Sequence, residues 1–177
     1  MEKVRKVLWE YVQSILLAFA LALFIITFVV QSFIVTGPSM EPTLRSGERL
    51  LINKFIYRFT EPKPGDIVVF HPAARPRDDY IKRVIAVAGQ TVEIRDGKVW
   101  VDGKAQDEPY LSEPTYGQFG PVRIPQGRIF VLGDNRNNSQ DSRYPEVGLV
   151  PLKSVIGKAV LRYWPLNRLG LVGQTGR

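Results

Sequence analysis

Three stretches of this 177-residue chain gather the residue types that carry out nucleophilic attack and proton transfer. The first is Thr36-Gly-Pro-Ser-Met-Glu-Pro-Thr-Leu44, where Gly37, Pro38 and Pro42 make a stiff, irregular loop around the Ser39 hydroxyl. A serine attacks only beside a base, and the candidates are His71, the single histidine, and the lysines. Lys82 stands out because it interrupts an apolar run, Tyr80-Ile-Lys-Arg-Val-Ile85. In a strand, Lys82, Val84 and Ala86 share one face, and Ile81, Arg83 and Ile85 share the other. Burying the Lys82 face would lower its pKa and leave a neutral amine able to accept a proton. A solvated lysine on an edge strand fits the same residues. The third stretch, Leu132-Gly-Asp-Asn-Arg-Asn-Asn-Ser-Gln-Asp-Ser-Arg143, packs carboxylates, guanidiniums and hydroxyls among turn formers. Such density suits a rigid polar network that orients a neighbouring group.

Composition narrows the chemistry. The chain has no cysteine, which excludes disulfides, a thiol nucleophile and cysteine-held metal clusters. One histidine excludes multi-histidine metal sites. A hydrophobic content of 45% excludes a disordered chain. The net charge is +7, yet no run of Lys and Arg interleaves with stacking aromatics, so nucleic acid is not the expected partner. The basic surface suits anionic lipid headgroups instead.

These stretches need elements to hold them. Between Glu10 and Glu41 no residue is charged, and a helix over 12–33 would cross a hydrocarbon core of roughly 30 Å. Lys3, Arg5 and Lys6 precede it, which predicts a cytoplasmic residue 1–11 segment and an extracytoplasmic domain over 34–177. A cleavable secretory signal is the alternative, but its apolar region usually runs only about 7–15 residues. A retained single-span anchor fits better. Beyond it, short β-branched segments broken by turns predict a mainly β, antiparallel domain: Leu50–Ile52, Ile67–Phe70, Ile81–Val87 and Ile129–Leu132. Thr91–Arg95 and Lys98–Val101 alternate around Asp96-Gly97, a type I′ hairpin signal. Residues 104–125 are polar and proline-bearing, and predict an excursion over the core.

In order and spacing, the three stretches with Gly65-Asp-Ile-Val-Val-Phe70 and the preceding apolar span resemble the type I signal peptidases. These are membrane-bound Ser/Lys endopeptidases that remove signal peptides from secretory preproteins, preferring small residues at −1 and −3. The resemblance covers nearly the whole chain. It implies Ser39 as nucleophile, Lys82 as general base, and Gly37, Pro38 and Met40 as the nucleophile loop. It implies that Ser139 hydrogen-bonds and orients the lysine amine, and that Asp141 with Arg143 and Asp134 with Arg83 form structural ion pairs. It also implies an all-β catalytic core, a lipid bilayer as second partner, and a mechanism needing no metal or cofactor. The inserted β excursion it implies, about 98–125, is short and looks more like Gram-positive-type or cyanobacterial members than large two-span ones. One departure is Gly37, where some members carry a serine that helps hold the oxyanion. A self-cleaving Ser/Lys repressor would need a DNA-binding helix pair in place of the span. A tethered β binding module would leave the motifs as coincidence.

Overall fold

In the computed structural model, which describes residues 2–24 and 29–173, the hydrophobic pattern resolves into one helix and two antiparallel sheets. Helix α1, Glu2–Phe24, has no buried residue and is long and apolar enough to cross a membrane. The expected 12–33 helix is therefore shifted. Its residues 25–28 lie outside the described residues, and Val30–Ile34 forms strand β1. β1 pairs antiparallel with β2, Arg49–Asn53, in the register Val30 opposite Asn53 and Ile34 opposite Arg49. Backbone pairing with β2 gives these residues a ladder that a continued helix would forgo, and Phe33 packs on the core beneath.

The larger sheet runs in the order β1, β2, β11 (Val155–Trp164), β3 (Ile67–Phe70), β4 (Tyr80–Val87), β9 (Arg128–Leu132) and β10 (Val150–Pro151). A short β12, Gly170–Leu171, joins β11. β3 and β4 are central and buried on both faces, which explains their unbroken apolar runs. Ile67 and Val69 enter one core with Val35, Met40, Leu44, Leu50, Ile52 and Ile81. Val68 and Phe70 enter another, with Val84, Ile129 and Val131. Strict alternation along β4 fails after Val84, where a bulge against β9 lets Ile85 and Ala86 both face a third core.

That third core belongs to the second sheet, ordered β7 (Lys104–Ala105), β6 (Lys98–Val101), β5 (Thr91–Arg95) and β8 (Phe119–Arg123). The excursion expected over 98–125 thus belongs to a sheet that starts at Thr91. Its hairpin is as expected: Asp96 and Gly97 both have positive φ, 52° and 74°, as a type I′ turn requires.

Candidate active site

β1 delivers the chain into the Ser39 loop, and the loop is fastened from below. Val35, Met40 and Leu44 are buried in the first core, each worth roughly 1.5–3 kcal/mol of apolar transfer. The Leu44 amide donates to Met40 O at 2.9 Å, closing a turn that leaves Ser39 half-buried at its edge. Lys82 Nζ lies 2.8 Å from Ser39 Oγ and donates to Ile81 O at 3.0 Å. The edge-strand alternative fails: Lys82 is 4% exposed, on a central strand. Burial pushes its pKa down from 10.5 to about 8, against the opposing pull of Asp141 and Asp134. Burial thus lets the amine shed its own proton near pH 8, after which it can accept the proton of the hydroxyl it touches.

The stretch after β9 supports this pair from behind. Asn135 N–H donates to Ser39 O at 3.1 Å, and its side-chain amide donates to Pro38 O at 3.1 Å. Arg83 grips Asp134 with two bonds, at 2.8 and 2.6 Å, and Thr43 Oγ1 donates to the same carboxylate at 2.5 Å. Asp141 accepts from Arg143 Nε at 2.8 Å and from Gly133 N–H at 3.1 Å. Arg83 with Asp134 and Arg143 with Asp141 thus form ion pairs. Ser139 differs from expectation: its Oγ is buried without a hydrogen-bond partner among the described residues. The amine's bonds go to Ser39 and Ile81 instead, while Ser139 packs against the face of Gly133.

Several residues beyond the sequence candidates belong to this assembly. A Cβ on Gly133 would sit 2.4 Å from Ser39 O and 2.2 Å from Ser139 Oγ, so only glycine fits. Arg136, 1% exposed, pairs with Glu108 at 2.5 Å and donates to Thr115 Oγ1 and Gly133 O. Arg83 stacks on the Tyr110 ring at 3.9 Å. Glu108, Tyr110 and Thr115 lie between β7 and β8, so the excursion braces the catalytic stretch. The dense polar motif signalled Arg136 and Asn135; nothing local marked Glu108 as the partner of Arg136.

Gly37 has φ +82°, and its amide donates to Ser46 Oγ at 3.3 Å. A Cβ there would meet open space but a strained backbone. The Ser39 amide has no acceptor among the described residues. His71, the competing base, sits elsewhere in the network: its Nδ1 is 3.0 Å from Asp79 Oδ1. His71 thus has an Asp partner, but Ser39 is held by Lys82.

Ser39 and Lys82 open into a cleft of about 620 Å³, walled by Phe33, Ile34 and Thr36 on one side and Tyr80 and Ile81 on the other. β1 pairs only with β2, and β4 meets β9 only from Arg83 onward. Two strand edges therefore flank the cleft with backbone groups unclaimed by any described strand.

A family model described as signal peptidase, peptidase S26, matches residues 8–164. The chain belongs to that family. Signal peptidase I of Leptolyngbya laminosa is 42% identical over 173 residues, covering 94% of this chain and 84% of the relative. Probable signal peptidase I-2 of Synechocystis is 42% identical over 168 residues, covering 92% and 76%. Signal peptidase I of Bacillus licheniformis is 40% identical over 172 residues, covering 92% and 91%. A crystal structure of signal peptidase I from Enterococcus faecalis aligns at a TM-score of 0.49 with 34% identity, over 56% of this chain and 97% of that one. Family membership makes the chain a peptidase with the mainly β fold described above.

Proposed function

We propose that Ser39 and Lys82 are the catalytic pair of a membrane-anchored serine endopeptidase that removes signal peptides from exported preproteins. The observation that carries this reading is the buried amine 2.8 Å from the hydroxyl, with its pKa drawn down to about 8. The cleavage segment enters as an extended strand between the edges of β1 and β4, bonded through its backbone. In an extended peptide, residues two apart face the same way. The −1 and −3 side chains therefore point the same way into the cleft, whose apolar lining of Phe33, Ile34 and Ile81 favours small apolar residues such as Ala-x-Ala.

Neutral Lys82 takes the Ser39 proton as Oγ attacks the scissile carbonyl carbon. The developing oxyanion faces the unengaged Ser39 amide, the donor available where Gly37 supplies no hydroxyl. Collapse breaks the C–N bond, and the Lys82 ammonium hands its proton to the leaving amine. A water then gives a proton to Lys82 as its oxygen bonds to the acyl carbon; the Oγ–C bond breaks, the Lys82 ammonium returns that proton to Ser39 Oγ, and the signal peptide leaves with a new carboxyl end. Gly133, Asn135, Asp134 and Asp141 hold the pair in place without touching the reacting atoms.

α1 is the anchor in this reading. It is apolar, exposed on every side and unsupported by protein, so lipid is its natural surrounding. Lys3, Arg5 and Lys6 before the apolar run support a cytoplasmic start and sheets on the outer side. Sharing one membrane with the signal peptide raises the effective concentration of the cleavage site.

The test is a set of purified full-chain variants assayed on one preprotein across pH. The parent's activity rises with a midpoint near pH 8 as Lys82 loses its proton. Lys82→Met and Lys82→Arg lose at least about 10²–10⁴-fold, since neither can accept the proton. His71→Ala stays within a few-fold. Near-normal turnover by Lys82→Met would sink the Ser/Lys mechanism.

A further inference from the structure

Glu48, just before β2, is a carboxylate only 3% exposed that takes no part in the catalytic pair or its braces described above. Its Oε2 accepts from Arg162 Nη1 at 3.3 Å, and its Oε1 accepts from Arg168 Nη1. Both arginines come from the other end of the chain. Arg162 lies on β11, and Arg168 ends a single 3-10 turn, Leu166–Arg168, between β11 and β12. Arg162 Nε donates to Arg168 O at 2.6 Å, so the two arrive as one unit. Two cations on one carboxylate leave a positive charge over, and one carbonyl faces it. Arg162 Nη1 donates to Thr43 O at 3.1 Å, and Arg168 Nη2 lies 3.5 Å from the same oxygen.

Thr43 belongs to the loop that carries Ser39. Asn135 ties the front of that loop, at Pro38 O and Ser39 O. Its neck is closed by the backbone: the Val35 amide donates to Glu48 O, and the Gly47 amide donates to Val35 O, both at 2.9 Å. Its back is held differently. Pro42 is exposed, and Pro42 and Thr43 border a cavity of about 350 Å³, so packing does little on that side. Polar ties hold it instead, Asp134 on the Thr43 hydroxyl and the two guanidiniums on the Thr43 carbonyl. Glu48 makes the second tie possible, because two guanidiniums on one carbonyl repel each other without a counter-charge between them.

We propose that Glu48, Arg162 and Arg168 form a positioning clamp that holds Ser39 in reach of Lys82 through the Thr43 carbonyl. The proposal rests on the Ser39–Lys82 reading and adds the residues that secure the nucleophile's side of the 2.8 Å contact. None of the three touches the reacting atoms. The apolar walls of the cleft, on β1 and β4, stand apart from the clamp, so substrate binding does not depend on it. The rate of attack does, since misplacing a reacting group by about 1 Å can cost about 100-fold.

The test uses full-chain Glu48→Gln, Arg168→Met and Arg168→Lys, assayed beside the parent on one preprotein at a temperature where circular dichroism shows each fully folded. Glu48→Gln should lose about 10- to 100-fold in kcat, with KM within about twofold and the pH midpoint unmoved, because the cleft walls and the burial of Lys82 are untouched. Arg168→Met should show the same split, and Arg168→Lys, which restores a cation beside Glu48, should regain part of the loss. Combining Glu48→Gln with Arg168→Met should cost little more than Glu48→Gln alone, since both act through one carbonyl. A cluster that only stabilised the domain would lower the unfolding midpoint and leave kcat of the folded protein unchanged. Parental kcat in the folded variants, a loss confined to KM, or losses that multiply in the double variant overturns the proposal. The Arg168 side chain is 26% exposed, so Arg168→Met carries the test even if Glu48→Gln does not fold. Ser39→Ala, run alongside, separates the two readings. If it cleaves at the parental rate, the Ser39–Lys82 pair falls and the clamp with it; if it is inactive while Glu48→Gln is normal, the clamp alone falls.

Discussion

Replacing Lys82 with methionine should remove activity yet relieve the fold of a buried cation, and the relief should depend on pH in a defined direction. Lys82 is 4% exposed, and its pKa falls from 10.5 to about 8 because burial disfavours the charged form. Below pH 8 the folded protein must carry that charge, while the unfolded chain carries it in water. The unfavourable contribution is therefore full below pH 8, fades between pH 8 and 10.5, and is gone above. One pKa unit corresponds to about 1.36 kcal/mol, so the whole shift amounts to roughly 3 kcal/mol. Methionine keeps the stem's bulk but gives up the bonds to Ser39 Oγ and Ile81 O, a loss on the order of 1 kcal/mol each. That loss is the same at every pH; the charge contribution is not. Denaturant unfolding of both chains in one detergent, from pH 7 to 10.5, isolates it, because the remaining titrations cancel in the difference. Lys82→Met should gain on the parent toward neutral pH by roughly 3 kcal/mol relative to its standing at pH 10.5. A stability difference that does not change with pH would refute the desolvated amine, and with it the reason Lys82 can act as a base.

Gly133→Ala drives a methyl to 2.4 Å from Ser39 O, so the nucleophile loop must shift. Activity should fall by about 100-fold, with a stability loss of only about 1–3 kcal/mol, read as kcat/KM against unfolding midpoint. Glu108→Gln leaves the Arg136 guanidinium buried without its counter-charge and should destabilise the protein by about 3–5 kcal/mol in denaturant unfolding. A change below about 1 kcal/mol would show that the excursion does not brace the catalytic stretch.

The Ser39–Lys82 pairing was legible because its residues break local rules. A lysine in the middle of Ile-Lys-Arg-Val-Ile has no reason to sit on a central strand unless its charge can be lost. A motif crowded with Asp, Asn and Arg exceeds what a turn requires. The hairpin at Asp96-Gly97 and the strands β2, β3, β4 and β9 were legible from alternation or short apolar runs. β11, the longest strand, was not. Gly157 and Lys158 interrupt its apolar residues, and bulges against β2 at Ala159–Leu161 and Arg162–Trp164 destroy its period. β1 was hidden differently: Val30, Phe33 and Ile34 continue the apolar run of α1, so composition alone cannot mark where helix yields to strand. The roles of Glu108 and Gly133 depend on long-range contacts, with Arg136 and with Ser39, that no local pattern announces. Ser139 shows the converse limit. Its place beside the pair was legible from the motif, whereas its hydrogen bonding depends on side-chain geometry.

The account's central claim is cleavage of a signal peptide by Ser39, and mapping the cut by mass tests it most directly. The full chain is reconstituted in vesicles with a preprotein bearing an Ala-x-Ala site, beside the same chain carrying Ser39→Ala. The account predicts one product pair, cut after the −1 alanine, from the parent and none from Ser39→Ala. Equal cleavage by both chains, or a cut elsewhere in the preprotein, would contradict it.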